Sequence, residues 1–102
     1  MSITDKEAAL WHANLKALKG FYQSSVLVSA ESREAAMSKA LIAIRTWNEK
    51  RVEDDYYSPV VSAFPDDEGY AQEVEAWMEE VRSELEEKLL EVKGGALVIQ
   101  SI

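Results

Sequence analysis

The 102-residue chain reads as an α+β domain, or a small α/β one, on three observations. Apolar residues recur at the helical period in three long stretches. Three shorter stretches alternate in polarity or are rich in β-branched and aromatic residues. Capping residues, glycines and prolines punctuate them. The predicted order is αβαβαβ over one domain, residues 1–102, with a three-stranded sheet and three helices, the last of them long, acidic and in the C-terminal half.

Thr4 followed by Glu7 has the spacing of a capping box, and Gly20 stands where a helix would stop, which predicts a first helix over residues 4–19. Its buried face would be Ala8, Trp11, Leu15 and Leu18. Over residues 21–30 the period changes to two: Tyr22, Val26, Val28 and Ala30 alternate with Gln23, Ser25, Leu27 and Ser29, as a half-buried strand requires. Ser32 then caps a second helix to about Arg51, with Ala36, Met37, Ala40, Leu41, Ile44 and Trp47 in one arc. Ala35 and Ile42 fall outside that arc, so this helix is expected to touch two neighbours.

The charged run EKRVEDD (residues 49–55) reads as a helix end and connector. Residues 56–64 follow as a second strand, placed at an edge or broken by Pro59, which removes a donor. After a turn at Pro65, Asp66 or Asp67 caps the third helix, predicted to run to about Lys93. Tyr70, Val74, Trp77, Met78, Val81, Leu85, Leu89 and Val92 fall in an arc of roughly 120° at the helical step. Gly94 and Gly95 end it, and ALVIQSI (residues 96–102) reads as a last strand. Helical crossovers imply parallel neighbours, with the second and third helices on one sheet face. The first helix would cover the other face, or else a second copy of the chain would.

Charge is distributed unevenly. Of the formal net charge of −8, all lies in residues 66–93, where eleven acids face only Arg82, Lys88 and Lys93; elsewhere acids and bases balance. Around the third helix the acids form two rows. Glu68, Glu75, Glu79 and Glu86 line one flank, and Glu73, Glu80, Glu84, Glu87 and Glu91 the other. Like-charged pairs at contact spacing cost a few tenths of a kcal/mol each, and only Glu84 with Lys88 and Arg82 with Glu86 offset it. A −8 chain repels nucleic acid and anionic membrane and favours basic protein surfaces. Direct nucleic-acid binding is not expected, and no stretch approaches the ~18 consecutive apolar residues of a membrane span. Asp5 and Glu7 stand where a signal peptide would be basic and then apolar. With no cysteine, disulfides and thiolate chemistry are excluded, and the cytoplasm is the expected location.

Catalytic residues are scarce. His12, the sole histidine, is expected on the polar side of the first helix beside Lys16 and Lys19, an exposed bystander. No serine sits in a nucleophile elbow, and the carboxylates at residues 53–55 and 66–68 have neither the spacing of a calcium loop nor a partner histidine. No enzyme, metal or cofactor is expected.

Residues 26–41 (VLVSAESREAAMSKAL) resemble a strand, Ala-x-Ser turn and alanine-spaced helix that recur in small phage and prokaryotic proteins. In size, acidity and lack of catalytic motifs the chain also looks like the small inhibitors of phages and mobile elements, anti-CRISPR proteins among them, a likeness of class rather than of motif. That likeness implies an occluding inhibitor. The expected function is therefore a non-enzymatic binding or inhibitory module whose acidic helix meets a basic surface of a partner, one that handles nucleic acid. The expected contact residues are Glu73, Glu75, Glu79, Glu80, Glu84, Glu86, Glu87 and Glu91, with Leu90 and Tyr57 as apolar anchors. The alternative is a structural homo-oligomer pairing through an uncovered sheet face or an edge strand.

Overall fold

The computed structural model describes residues 8–92. Over them the chain forms β1 (Ala9–Asn14), a 3-10 turn (Lys16–Leu18), β2 (Ser25–Ala30), α1 (Arg33–Asp55), α2 (Tyr70–Lys88) and β3 (Leu90–Val92). The sheet is three-stranded in the order β2-β1-β3, and both pairings are antiparallel. The fold is α+β with two α-helices; the expected third helix and the parallel pairing are both corrected.

The first correction falls at residues 9–18. Trp11, Leu15 and Leu18 are spaced for a helix, but Ala9, Trp11 and Ala13 also alternate with Leu10, His12 and Asn14. The alternation wins because this segment is the central strand, with a hydrogen-bonding partner on each side. The Trp11 indole also donates to the Ala30 carbonyl at 3.1 Å. Leu15 and Leu18 are buried as expected, from the 3-10 turn rather than a helix face. Thr4 and Glu7 lie outside the described residues. Gly20 does mark a turn, with φ of +94°, and it lies so close to Pro59 that an added Cβ would sit 2.8 Å from the Pro59 carbonyl oxygen.

The strand expected over residues 21–30 is confined to Ser25–Ala30. Ser32 caps α1 as predicted, its hydroxyl accepting from the Ala35 N–H at 3.1 Å. Ala36, Ala40, Ile44 and Asn48 form its buried line, and the two alanines let the helix lie close on the sheet. The helix ends at Tyr56, whose left-handed backbone (φ 54°) lets its N–H reach the Val52 carbonyl at 2.7 Å.

No strand forms over residues 56–64. A buried polar knot replaces it: the Ser58 hydroxyl donates to Asn48 Oδ1 at 2.6 Å and accepts from the N–H groups of Val60 and Val61. Asn48 Nδ2 in turn donates to the Tyr70 hydroxyl at 3.2 Å. Local side-chain acceptors thus satisfy backbone donors that a ladder would otherwise take. The knot pins the connection to the start of α2.

The third predicted helix begins at Tyr70 and ends at Lys88, shorter than expected at both ends. Asp66 and Asp67 belong to the preceding turn, and no side chain caps the helix start. At its far end the Arg33 guanidinium donates to the carbonyls of Leu85, Glu86 and Leu89, closing a helix terminus that favours a cation. The chain then turns into β3, where Val92 pairs with Leu10 instead of continuing the apolar stripe. The expected last strand, residues 96–102, and Gly94-Gly95 lie outside the described residues.

α1 packs on β2, and α2 packs on β1, the 3-10 turn and α1. Phe21 lies between Trp47 and Trp77, with ring centroids 6.4 and 5.9 Å away, and Trp11 packs against the same core from the sheet. Register places Ala9, Trp11, Ala13, Val26, Val28 and Ala30 on the helix-covered face. Leu10, His12, Leu27, Leu90 and Val92 share the opposite face. No described helix covers that second face.

Candidate acidic surface on the second helix

α2 carries seven glutamates against Arg82 and Lys88. Its inward stripe, Val74, Trp77, Met78, Val81 and Leu85, is buried as the periodicity predicts, which fixes the acids on the remaining circumference. Their surroundings differ from one flank to the other.

On the flank facing α1, two arginines serve three glutamates. Arg45 reaches across from α1 to Glu75 at 3.2 Å. Arg82 bridges Glu79 at 2.6 Å and Glu86 at 3.2 Å, and those carboxylates, Glu79 foremost, hold its guanidinium still further above its ordinary basicity. All three glutamates remain largely open to water, where such pairs contribute little to stability.

On the other flank the carboxylates serve the backbone. Glu84, whose side chain is only 17% exposed, accepts from the N–H groups of Lys16 at 2.6 Å and Ala17 at 3.1 Å, with Lys88 at 3.4 Å. A 3-10 turn leaves its first N–H groups without internal partners, and this carboxylate satisfies two of them. The Trp77 indole donates to the Ala17 carbonyl at 2.8 Å from the same helix. Glu73 accepts from the Ser62 N–H at 3.1 Å. Lys16 and Lys19 line one hollow with Glu73, Trp77 and Glu80.

Of the expected contact residues, Glu80 and Glu87 are exposed and, among the described residues, have no hydrogen bond or ion pair. With Ala76 and Ser83 they form one outward line at helical spacing. Glu84 departs from the expectation of a bare ridge, because its carboxylate is used inside the fold. Glu91 is in β3, opposite Trp11, and no longer continues a helical row. Leu90, 69% exposed, lies on the open sheet face opposite His12. Tyr57, 55% exposed, lies in the connection before α2. Leu90 lines one hollow with Glu87, at the end of the acidic line, whereas Tyr57 does not border it.

His12 stands on β1 rather than on a polar helix face. Exposed groups that the reading of the sequence did not select include Tyr22, 93% exposed beneath the Arg51 guanidinium at 5.3 Å, and Ile42 on α1. Ile42's position outside the apolar arc was the available signal for the second. Asp55 and then Tyr22 raise the basicity of Arg51, and Asp66 raises the pKa of the Tyr56 hydroxyl that donates to it. The Tyr56 ring also stacks on Phe64 at 6.4 Å. Among the described residues no three His, Asp or Glu converge as a metal site, and no helix is long and apolar enough to cross a membrane. No family model, curated protein or solved structure matches the chain.

Proposed function

We propose that this protein is a non-enzymatic binding or inhibitory module that presents the outward face of α2 to a basic surface of a partner protein in the cytoplasm. The observation that carries this reading is the line of Glu80 and Glu87, exposed and, among the described residues, without ion pairs on a helix whose carboxylates outnumber its cations. Glu73, Glu79 and Glu86 border the line, each already partnered, and add to the field without being free to reorganise. Attraction of this kind speeds encounter and weakens with salt. Occlusion of the partner's basic site is the mechanism, and a protein that handles nucleic acid is the kind that has such a site.

The helix spans about 29 Å at ~1.5 Å per residue. Its seven glutamates less two cations leave about one net charge per 6 Å, against one per ~1.7 Å for duplex DNA. The reading is therefore of a charged docking ridge rather than a nucleic-acid mimic.

The test is charge reversal at Glu80→Lys with Glu87→Lys, leaving Glu84 untouched because it supports the 3-10 turn. Affinity capture at low and high salt, with the captured proteins identified by mass, should recover a basic partner with the native chain at low salt only. The double variant should lose it while its thermal unfolding midpoint stays level or rises, since repulsion is relieved. Equal capture by the variant removes the proposal.

A further inference from the structure

We propose that two copies of the chain join edge to edge through β2, antiparallel, with the two-fold axis at Leu27. This inference is independent of the docking role of α2.

The direction of the backbone groups comes first. The Leu15 N–H donates to the Ser24 carbonyl at 2.8 Å, which sets the phase of the β1–β2 ladder. Residues 24, 26, 28 and 30 therefore turn their N–H and C=O groups toward β1, and Ser25, Leu27 and Ser29 turn theirs away from it. The Lys39 ammonium, on α1, meets the Ser29 carbonyl at 2.6 Å on that outer side, as this phase requires. No other described residue bonds to the outer edge. β2 is an outside strand of the sheet order among the described residues, so apart from the Ser29 carbonyl its edge groups have no partner among them.

Self-complementarity selects the occupant. The strand reads Ser25-Val26-Leu27-Val28-Ser29, a palindrome about Leu27. An antiparallel two-fold there opposes Leu27 to its own copy, Val26 to Val28 of the partner copy, and Ser25 to Ser29 of the partner copy. Every group that exchanges a hydrogen bond is one that already points outward. Leu27 is 45% exposed on the uncovered sheet face, opposite His12 on β1 and diagonal to Leu10. Pairing would bring its side chain against its copy and join the two apolar faces into one. Ser29's carbonyl has a second lone pair, so Lys39 need not leave it.

Charge points the same way. No residue of β2 is charged, and residues 1–65 carry as many acids as bases. The net charge of −8 lies in residues 66–93, and α2, which bears most of that acid, packs on β1, whereas the helix packed on β2 is α1. Two such chains can meet at β2 without opposing their acidic helices. At the other outside strand, β3, a two-fold at the centre of its described residues would set Glu91 against its copy.

Sedimentation velocity on the full chain across the micromolar range tests this directly. A dimer is expected that tightens or holds as salt is raised, because screening relieves the repulsion of two acidic chains; a docking ridge for basic partners responds with the opposite sign. Leu27→Lys places two ammonium groups on the axis and should weaken dimerisation about tenfold or more, with circular dichroism unchanged. The chain has no cysteine, so Leu27→Cys reports alone. Hydrogen-bonded antiparallel pairs hold their Cα atoms about 5.5 Å apart, within disulfide range, and mild oxidation should link the copies. Leu90→Cys, on the same open face but off the axis, should not link. A chain monomeric throughout, a dimer indifferent to Leu27→Lys, or linkage through Leu90→Cys in place of Leu27→Cys overturns the proposal; the last outcome would assign face-to-face stacking.

Discussion

The two flanks of α2 carry similar numbers of glutamates and use them for different purposes. Facing α1, Glu75, Glu79 and Glu86 meet arginine side chains in water. Facing the 3-10 turn, Glu84, its side chain 17% exposed, holds two backbone N–H groups, that of Ala17 part-buried, and Glu73 holds a third from the connection. A guanidinium that loses its carboxylate is resolvated at once, whereas the part-buried Ala17 N–H is resolvated less readily. The same residue type on one helix thus meets side chains on one side and backbone on the other, and among the described residues Glu80 and Glu87 are the helix's glutamates left without either contact.

The sharpest way to break that contrast is to truncate one glutamate from each side. Glu84→Ala should cost about 1.5–3 kcal/mol in urea unfolding, the range for hydrogen bonds to a charged group. Glu75→Ala should cost no more than about 1 kcal/mol, as exposed pairs do. Equal losses would mean that the backbone contacts of Glu84 carry no special weight.

A smaller effect extends the comparison to the acids ahead of α2, where Asp66 is engaged by a phenol. Because Asp66 raises the Tyr56 pKa, the folded chain holds that proton more tightly than the unfolded one. The contribution to stability is complete below the ordinary tyrosine range and is lost as pH climbs through the raised value. Asp66→Asn should bring one tyrosine back toward ordinary titration when tyrosinate absorbance is followed, and Tyr56→Phe should remove the late-titrating group. An unchanged curve in Asp66→Asn would separate the two residues.

Much of α2 was legible because Val74, Trp77, Met78, Val81 and Leu85 repeat at one angular step with no competing period. Ser32 was legible as a cap because its spacing ahead of α1 has one physical reading. β1 was not, since Trp11, Leu15 and Leu18 satisfy a helical face as well as a strand followed by a turn. The choice between them depends on β2 and β3, residues distant in the chain, and local spacing carries no record of them. Residues 56–64 misled by composition: their β-branched and aromatic side chains suit a strand, but Ser58 intercepts the backbone donors. The two rows of glutamates were visible, whereas the role of Glu84 was not, because its partners are main-chain atoms of Lys16 and Ala17 and have no letter of their own.

The contact between Gly20 and Pro59 has a consequence for tolerance to mutation. Gly20 is exposed, which ordinarily marks a permissive position, yet its positive φ and the neighbouring carbonyl leave no room for a single methyl group. A saturation library selected for folded protein should return glycine there and a wide alphabet at neighbouring Lys19, so solvent access and freedom to vary part company at this corner of the molecule.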